Sequence, residues 1–367
     1  MQMQKLDYND LVALGKRLGK ASANPAMTYS VNGQSLTYSA MNATFSEQLR
    51  LLGGSWADYR ENKNTIFSMM EEIVSDVLPK KVEKRYEQLA EVKVLNNNDA
   101  IKFRRKTSNN SRAKQFITRV GRAGVYETFK LAKNEEVFEV PTSAIGGAVQ
   151  IGIEEFMDGR ADLSELLEII LEGMDELIYK EVAYSLKSSI NQLPAANRAV
   201  SAGFDEALMD RLVMIASAYG NPVIYCTKEF AVNMIPSEAW RYTENMKAEL
   251  WEQGRLSSYK STPVVILEQG FEDETNSRKV IDPGFAWVIP ATAKSKPVMI
   301  GMNGPTIIDE YDNRDRSKEI QVYKKVGVVT MFANDVCAYI DTALAGKMDT
   351  WSFSNNNIKD YTGTVHA

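Results

Sequence analysis

The side chains that most often carry catalysis are scarce in this sequence of 367 residues. The single histidine is His366, next to the last residue, and the two cysteines are Cys226 and Cys337. Catalytic nucleophiles are commonly activated by a neighbouring histidine, which is also a common metal ligand. Carboxylate or lysine catalysis stays open, but no glycine-rich phosphate motif or zinc-protease motif accompanies it. The sequence therefore predicts a protein that is not an enzyme, with no catalytic residue, cofactor or metal.

The two cysteines stand far apart, each inside an apolar run typical of a β-strand. A disulfide and a pair of reduced core thiols are both compatible with two cysteines. Because free cysteine is among the most buried residue types, the sequence favours reduced core cysteines in a cytoplasmic protein.

One acidic group could be considered as a metal site: Asp309, Glu310, Asp312 and Asp315. Its spacing departs from that of a calcium-binding loop, and Arg314 and Arg316 are interleaved with the carboxylates. The group is therefore predicted to be a solvated turn or a cluster of salt bridges.

Positive charge is concentrated in one segment that contains no acidic residue. It carries Lys102, Arg104, Arg105, Lys106, Arg112, Lys114, Arg119 and Arg122. Apolar-alternating arms flank the polar turn TSNNSR, which is the pattern of a long β-hairpin. A solvated loop, nucleic-acid binding and docking on an acidic protein surface are the three interpretations. The one-sided charge disfavours the first, and the lack of interleaved aromatic residues disfavours the second, so docking is preferred.

A matching acidic surface is predicted on the longest helical pattern, residues 162–192. Leucine, isoleucine and methionine recur at three- and four-residue steps and require a buried stripe. Another stripe carries Glu165, Glu168, Glu172 and Glu176. Like charges at this spacing destabilise an isolated helix by a few tenths of a kcal/mol per pair, so a basic partner is expected.

The other elements divide the chain into parts. Residues 1–60 read as an arm that lies on another surface, and residues 64–78 as a helix that Pro79 ends or kinks. Gly146–Gly147 is predicted as a turn near a strand that ends at Phe156. A separate unit of helices and short strands follows the long helix. The long strand in residues 318–333 is predicted to pair with Val149–Phe156 and to pack on that helix, which makes residues 204–302 an insertion.

Three stretches now carry a family resemblance: FEVPTSAIGGAVQIGIEEFMDGRADL, WEQGRLSSYKSTPVVIL and DNRDRSKEIQVYKKVGVVTMFANDVCAYI. In the order of their elements and in their residue patterns, residues 60–345 resemble the major capsid proteins of tailed bacteriophages. These proteins have the Hong Kong 97-type shell fold, whose class is α+β. The resemblance implies an N-terminal arm with helices (1–95), an extended loop (96–138), a peripheral domain (139–200) with its spine helix, an axial domain (201–305), a return strand (306–335), a final strand (336–345) and a tail (346–367).

The same resemblance implies a structural function. Copies would form the pentamers and hexamers of an icosahedral shell around double-stranded DNA, with the basic loop of one copy on the acidic spine of the next. A cellular nanocompartment shell of the same fold, an encapsulin, and a nucleic-acid-binding protein using residues 102–122 are the alternatives. A separate scaffolding protein and a portal are the implied partners. Lys102, Lys106 and Lys114 lie in the loop that carries inter-subunit crosslinks in some relatives, but we expect none here.

The composition agrees with such a protein. A hydrophobic fraction of 44% and a charged fraction of 25% are ordinary globular values, and the length suggests two or three domains. No apolar run approaches twenty residues, so no signal peptide and no membrane span are expected. The net charge of −5 suits a container whose wall does not grip DNA. The expected location is the virion, after assembly in the host cytoplasm.

Overall fold

Helices dominate the first quarter of the chain and then alternate with strands in a computed structural model of the protein. The structure describes residues 7–21, 29–31, 34–53, 55–87, 89–95, 99–106, 135–151, 163–234, 244–271, 275–276, 279–291, 296–312, 318–330 and 335–344. Within these ranges the α-helices are α1 (Tyr8–Ala21), α2 (Tyr38–Gly53), α3 (Trp56–Arg85), α4 (Leu163–Ser189), α5 (Glu206–Ser217), α6 (Lys228–Asn233) and α7 (Glu244–Gln253). Short 3₁₀ turns cover Ile190–Gln192 and Ala195–Asn197.

The strands of the described residues form two small hairpins and two larger sheets. They are β1 (Tyr29–Val31), β2 (Gln34–Leu36), β3 (Ala90–Leu95), β4 (Ile101–Lys106), β5 (Glu135–Val140), β6 (Ser143–Ile151), β7 (Arg198–Ser201), β8 (Pro222–Thr227), β9 (Ser258–Tyr259), β10 (Thr262–Leu267), β11 (Phe285–Pro290), β12 (Val298–Asp312), β13 (Lys318–Thr330) and β14 (Cys337–Asp341). This mixture confirms the predicted α+β class.

The first large sheet has four strands in the order β3-β12-β13-β6. Strand β13 pairs antiparallel with both β12 and β6, whereas β3 runs parallel to β12. The apolar stripe of α4 packs on this sheet, and α1, α2 and α3 complete the same core. The predicted pairing of the long return strand with the strand before the spine helix is therefore confirmed.

The second large sheet has six strands in the order β7-β14-β11-β8-β10-β9. Alternate side chains enter two different cores because successive residues of a strand point to opposite faces. Ile224 and Val288 face a core formed with α5 and α6, whereas Tyr225 and Trp287 join the main core. The inserted unit is thus not separate, since one face of its sheet is continuous with the rest of the molecule.

Two local predictions are wrong. Gly146 and Gly147 lie inside β6, paired with Tyr323 and Val322, because the register with β13 continues through them and leaves no turn. The alternative that Pro79 ends its helix is also wrong, because α3 continues past it to Arg85. Buried side chains on both sides of the proline, including Leu78 and Val82, hold the helix against the core. Tertiary packing here outweighs the cost of a helical proline, about 3 kcal/mol.

Two predicted segment boundaries also differ from the sheets. Residues 298–305, predicted to belong to the axial domain, form the first part of β12 and therefore lie in the four-stranded sheet. The predicted final strand lies in the other sheet, because β14 pairs with β7 and β11 inside the six-stranded sheet. The strand predicted to reach Phe156 ends at Ile151, beyond which residues 152–162 lie outside the described part.

The N-terminal arm lies on the rest of the chain. Leu11, Leu14 and Leu18 of α1 are buried against the core that contains α3. This placement agrees with the interpretation that the arm covers another surface. None of the helices in the described part of the chain is long and apolar enough to cross a membrane.

Candidate subunit interfaces

The base of the basic hairpin is built from β4 and β5. These strands pair antiparallel from Ile101↔Val140 to Lys106↔Glu135. The predicted hairpin is confirmed here, but its described second strand is 135–140, and β3, predicted to be part of the first arm, belongs to the four-stranded sheet. Residues 107–134, with Arg112, Lys114, Arg119 and Arg122, lie outside the described residues.

Charges in this hairpin base are matched across the two strands. Lys102 stands opposite Glu139 and both are exposed. Arg105 and Lys106 occupy positions opposite Glu136 and Glu135, and Arg104 is opposite Val137. Opposite charges in such cross-strand pairs contribute roughly 0.2–1 kcal/mol each. The excess of positive charge therefore begins beyond Lys106, in the segment 107–134.

A pair of glycines seats the hairpin base on the four-stranded sheet. Gly301 of β12 and Gly327 of β13 are direct cross-strand partners. A Cβ on Gly301 would approach Ile101 Cδ1 to 2.8 Å, and one on Gly327 would meet the carbonyl oxygen of Pro141. Any side chain at this pair would lift the hairpin, so the glycines fix how closely the base of the hairpin lies on the sheet.

The acidic stripe lies on α4, and its four members have different surroundings. Glu165 and Glu172 are exposed. Glu168 is partly buried and accepts a hydrogen bond from the Tyr38 hydroxyl, which together with burial raises the pKa of Tyr38. Glu176 lies 3.4 Å from Lys180 one turn further along the helix. Three of the four carboxylates, those of Glu165, Glu172 and Glu176, are therefore exposed along α4.

An apolar groove of about 340 Å³ runs beside that stripe, between β6 and α4. Gly146 and Gly147 form its strand side, and Ile169, Gly173 and Leu177 lie on its helix side. Ile169 is 52% exposed, which is unusual for isoleucine. Each of three acidic residues of the stripe immediately precedes a groove residue of α4, so negative charge borders the groove.

Residues 16–341 match the model of the family described as "SPbeta prophage-derived putative capsid protein YonB". The chain belongs to this family. The match spans most of the sequence and includes both large sheets, α4 and the hairpin base. It confirms the predicted capsid-protein resemblance.

Solved structures give weaker likenesses to this YonB-family chain. The mature capsid of bacteriophage PhiM1 is 9% identical, with a TM-score of 0.46, over 71% of this chain and 87% of that one. The head of Helicobacter pylori bacteriophage KHP40 is 12% identical, with a TM-score of 0.45, over 71% and 90%. The SrpI encapsulin complex of Synechococcus elongatus is 9% identical, with a TM-score of 0.43, over 74% and 91%. No curated protein matches the chain.

The acidic group near residue 310 proves to be an ion-pair cluster at the end of a strand in this YonB-family chain. The side chain of Glu310 is 4% exposed and lies 2.7 Å from Lys318 Nζ and 3.9 Å from Lys63 Nζ. It also accepts a hydrogen bond of 2.7 Å from the Tyr59 hydroxyl. Salt bridges within the chain are thus found at Glu310, and Asp309, Glu310 and Asp312 lie in β12 and not in a turn. Asp315 lies outside the described residues.

No group of three or more potential metal-ligating side chains occurs among the residues that the structure describes. Cys226 and Cys337 are buried and unbonded, as predicted, in the core formed with α5 and α6. Burial raises the pKa of both thiols to about 12. Both are therefore structural residues with little thiolate character.

Sequence reasoning missed the glycine pair of this capsid-family chain. The signal was present, because an isolated glycine inside a strand pattern often marks close approach by another backbone. Gly301 and Gly327 each interrupt an apolar run, but only the β12–β13 register makes them neighbours. A single sequence does not supply that register.

Proposed function

We propose that this chain is a major capsid protein that self-assembles into the icosahedral head shell of a tailed bacteriophage. The family match over residues 16–341 carries this proposal. The role is structural, and the chain is a component of the virion. Pentamers and hexamers of the Hong Kong 97 type, a separate scaffolding protein, a portal and enclosed double-stranded DNA are further parts of the proposal, as is assembly in the host cytoplasm.

The contact proposed between neighbouring copies joins the basic hairpin to the acidic stripe. Segment 107–134 begins and ends at two paired strand ends, so it forms one excursion from the hairpin base. Its 28 residues allow two arms of about fourteen, each able to reach about 45 Å if extended. The exposed carboxylates of Glu165 and Glu172 and the apolar groove beside them offer a surface for a segment that combines cations with Phe116 and Ile117.

Individual ion pairs in this contact are weak. An exposed pair contributes up to about 1 kcal/mol, and salt reduces it. A subunit that contacts several neighbours nevertheless multiplies small contributions. The contact is heterologous, so rotation by a fixed angle closes it into rings.

Charge reversal tests the contact. Arg112→Glu, Arg119→Glu and Arg122→Glu together should abolish particles in negative-stain images and leave the subunit folded by circular dichroism. Glu165→Lys with Glu172→Lys should partly restore assembly in that background, because both positions are exposed on the stripe. A control reverses three exposed cations elsewhere: Arg60, Lys84 and Lys228. Normal particles from the hairpin triple variant would refute the docking contact.

Two other functions remain distinguishable. An encapsulin-like shell would enclose protein cargo, so purified particles would contain no nuclease-protected DNA. A nucleic-acid-binding protein using residues 102–122 would bind DNA as an unassembled subunit at physiological salt. The exposed Glu139 opposite Lys102 argues against the second, because it already offsets part of the positive charge. A wild-type chain that stays monomeric at high concentration and in crowding salt, both alone and with its scaffolding protein, would refute the shell function itself.

A further inference from the structure

Helix α7 of the inserted unit is largely exposed. None of its ten residues is buried in the described structure, and the side chain of Trp251 is 91% exposed. Tryptophan can bury about 150–250 Å² in a contact and is enriched at protein interfaces. Met246, Glu249 and Leu250 are only partly buried, so the helix gains little stability from packing on its own chain. Trp251 therefore marks a surface that another molecule covers.

A second exposed apolar surface lies at β7, one edge of the six-stranded sheet. Met214 of α5 is 71% exposed and Val200 of β7 is 58% exposed. The Arg211 guanidinium donates a hydrogen bond of 2.9 Å to the carbonyl of Arg198, so this side of α5 faces β7. Met214 follows Arg211 by three residues and shares its helical face. We call Arg198, Val200, Arg211 and Met214 the β7-edge patch.

The two surfaces belong to opposite edges of the same sheet. Helix α7 leads through Leu256, which is buried, directly into β9, and β9 and β7 are the two outermost strands. A 2.8 Å hydrogen bond from the Ser257 amide to Glu249 ties the helix to that edge. Surfaces at opposite edges meet when copies are arranged head to tail.

Charge complementarity supports the same arrangement. Helix α7 carries Glu244, Glu249 and Glu252 against one cation, Lys247. The β7-edge patch contributes the cations Arg198 and Arg211, of which Arg211 is exposed. An acidic helix that carries an aromatic residue thus matches a basic edge that carries a methionine. Such complementarity favours one docking register over others.

We infer that Trp251 of one copy packs on the β7-edge patch of a second copy, so that the six-stranded sheets form a head-to-tail ring. The partner is another copy of this chain, and the contact is heterologous. This inference rests on the proposed shell function and specifies one contact within its rings. The hairpin contact proposed above uses different surfaces.

Cysteine crosslinking of two mixed variants tests the partner and its orientation. One protein carries Trp251→Cys and the other carries Met214→Cys, so a mixed disulfide joins different chains. Cys226 and Cys337 are buried and stay out of the reaction. We expect the mixed dimer under mild oxidation at about tenfold the yield obtained when Asn245→Cys replaces Trp251→Cys, because docking raises the effective concentration. Asn245 is exposed on another face of α7.

Each other product has a definite meaning. A predominant dimer of Trp251→Cys with itself would indicate a two-fold contact and overturn the inference. A mixed yield equal to that of the Asn245 control would overturn it as well and would indicate that α7 is covered by another partner, such as a scaffolding protein. A chain carrying both substitutions should give a ladder that stops at five or six linked subunits.

A non-covalent variant separates this inference from the shell function. Trp251→Ala should remove rings and particles, Trp251→Phe should retain them, and Ile307→Ala should have no effect because this exposed residue lies in the other sheet. Wild-type particles combined with normal assembly of Trp251→Ala would refute the inference and leave the shell function intact. Failure of the wild-type chain to assemble both alone and with its scaffolding protein would refute the shell function.

Discussion

Glu181 offers a sharp test of how the spine helix is held. It is buried in α4, 6% exposed, and its Oε1 has no hydrogen-bond partner among the described residues. Ser185, one turn further on, lies 2.7 Å from Thr330 of β13, so this face of the helix turns towards the four-stranded sheet. Burial alone raises the pKa of Glu181 from 4.5 to about 7. The folded state therefore favours the neutral carboxyl.

The sign and size of the effect follow from linkage. The folded chain holds the Glu181 proton more tightly than the unfolded chain, so the stability that Glu181 contributes is fully present below pH 4.5 and is lost as pH rises from 4.5 to about 7. The rise of its pKa from 4.5 to about 7, at about 1.4 kcal/mol per pH unit, gives a loss of about 3.5 kcal/mol, an upper value for a site that can relax. Glu181→Gln keeps the shape and removes the charge, so its gain over wild type should grow from near zero to about 2–3 kcal/mol between about pH 4.5 and pH 8.

Urea unfolding of the unassembled subunit, followed by circular dichroism, measures this difference at each pH. Using the difference between the two proteins removes the contributions of all other titrating groups. Glu172→Gln is the matched control, since Glu172 is exposed on the same helix and its substitution should change stability little at any pH. Parallel pH profiles for wild type and Glu181→Gln would show that the carboxylate is solvated or paired, and the account of this part of the core would be wrong.

Two further predictions concern the four-stranded sheet. Lys324 is 1% exposed, its Nζ donates to Thr306 Oγ1 at 3.1 Å, and burial lowers its pKa to about 8. The charge on buried Lys324 should therefore cost stability below pH 8, and this cost should disappear between pH 8 and 10.5. Lys324→Met should be about 2 kcal/mol more stable than wild type at pH 7 but not at pH 10.5, by the same urea assay. Gly327→Ala should lower the free energy of unfolding by about 1–3 kcal/mol, because the new Cβ would meet the Pro141 carbonyl. Gly147→Ala is the control: a Cβ there has open space, so the loss should stay under about 1 kcal/mol. Equal losses would refute the role of Gly327 in holding the hairpin close to the sheet.

The long helix was predictable from the sequence because its signals are local. Periodic apolar residues place a helix at 162–192, and the structure has α4 at Leu163–Ser189 followed by a 3₁₀ turn to Gln192. The order hairpin, strand, helix, insertion and return strand was predictable for the same reason. The pairing of β13 with β6 followed from economy of connections, since a strand after an insertion tends to rejoin the sheet it left.

Features that depend on distant register were not predictable. Proline disfavours the interior of a helix, but Pro79 lies inside α3, where its neighbours Leu78 and Val82 are buried. The burial that stabilises this turn comes from elements elsewhere in the chain. The same holds for Trp251, because periodicity predicts a helix at α7 but cannot indicate that no neighbour covers it. The acidic stripe was found, but the Tyr38 hydrogen bond to Glu168 joins residues 130 positions apart.

The continuity of the two cores constrains how the inserted unit can move. The chain passes between the sheets at the end of α4, between β11 and β12, and between β13 and β14. Lys187 of α4 lies 2.8 Å from Asp282 and over the Phe285 ring, and Trp287 is buried in the main core. Swinging the six-stranded sheet as an independent body would expose these groups. A displacement that Trp251 transmits to this sheet in a ring would therefore also move α4, where the hairpin of another copy is proposed to dock. The two proposed contacts should be energetically coupled, and a double-mutant cycle between Trp251→Phe, which still assembles, and Glu172→Lys, read out as assembly yield, should depart from additivity.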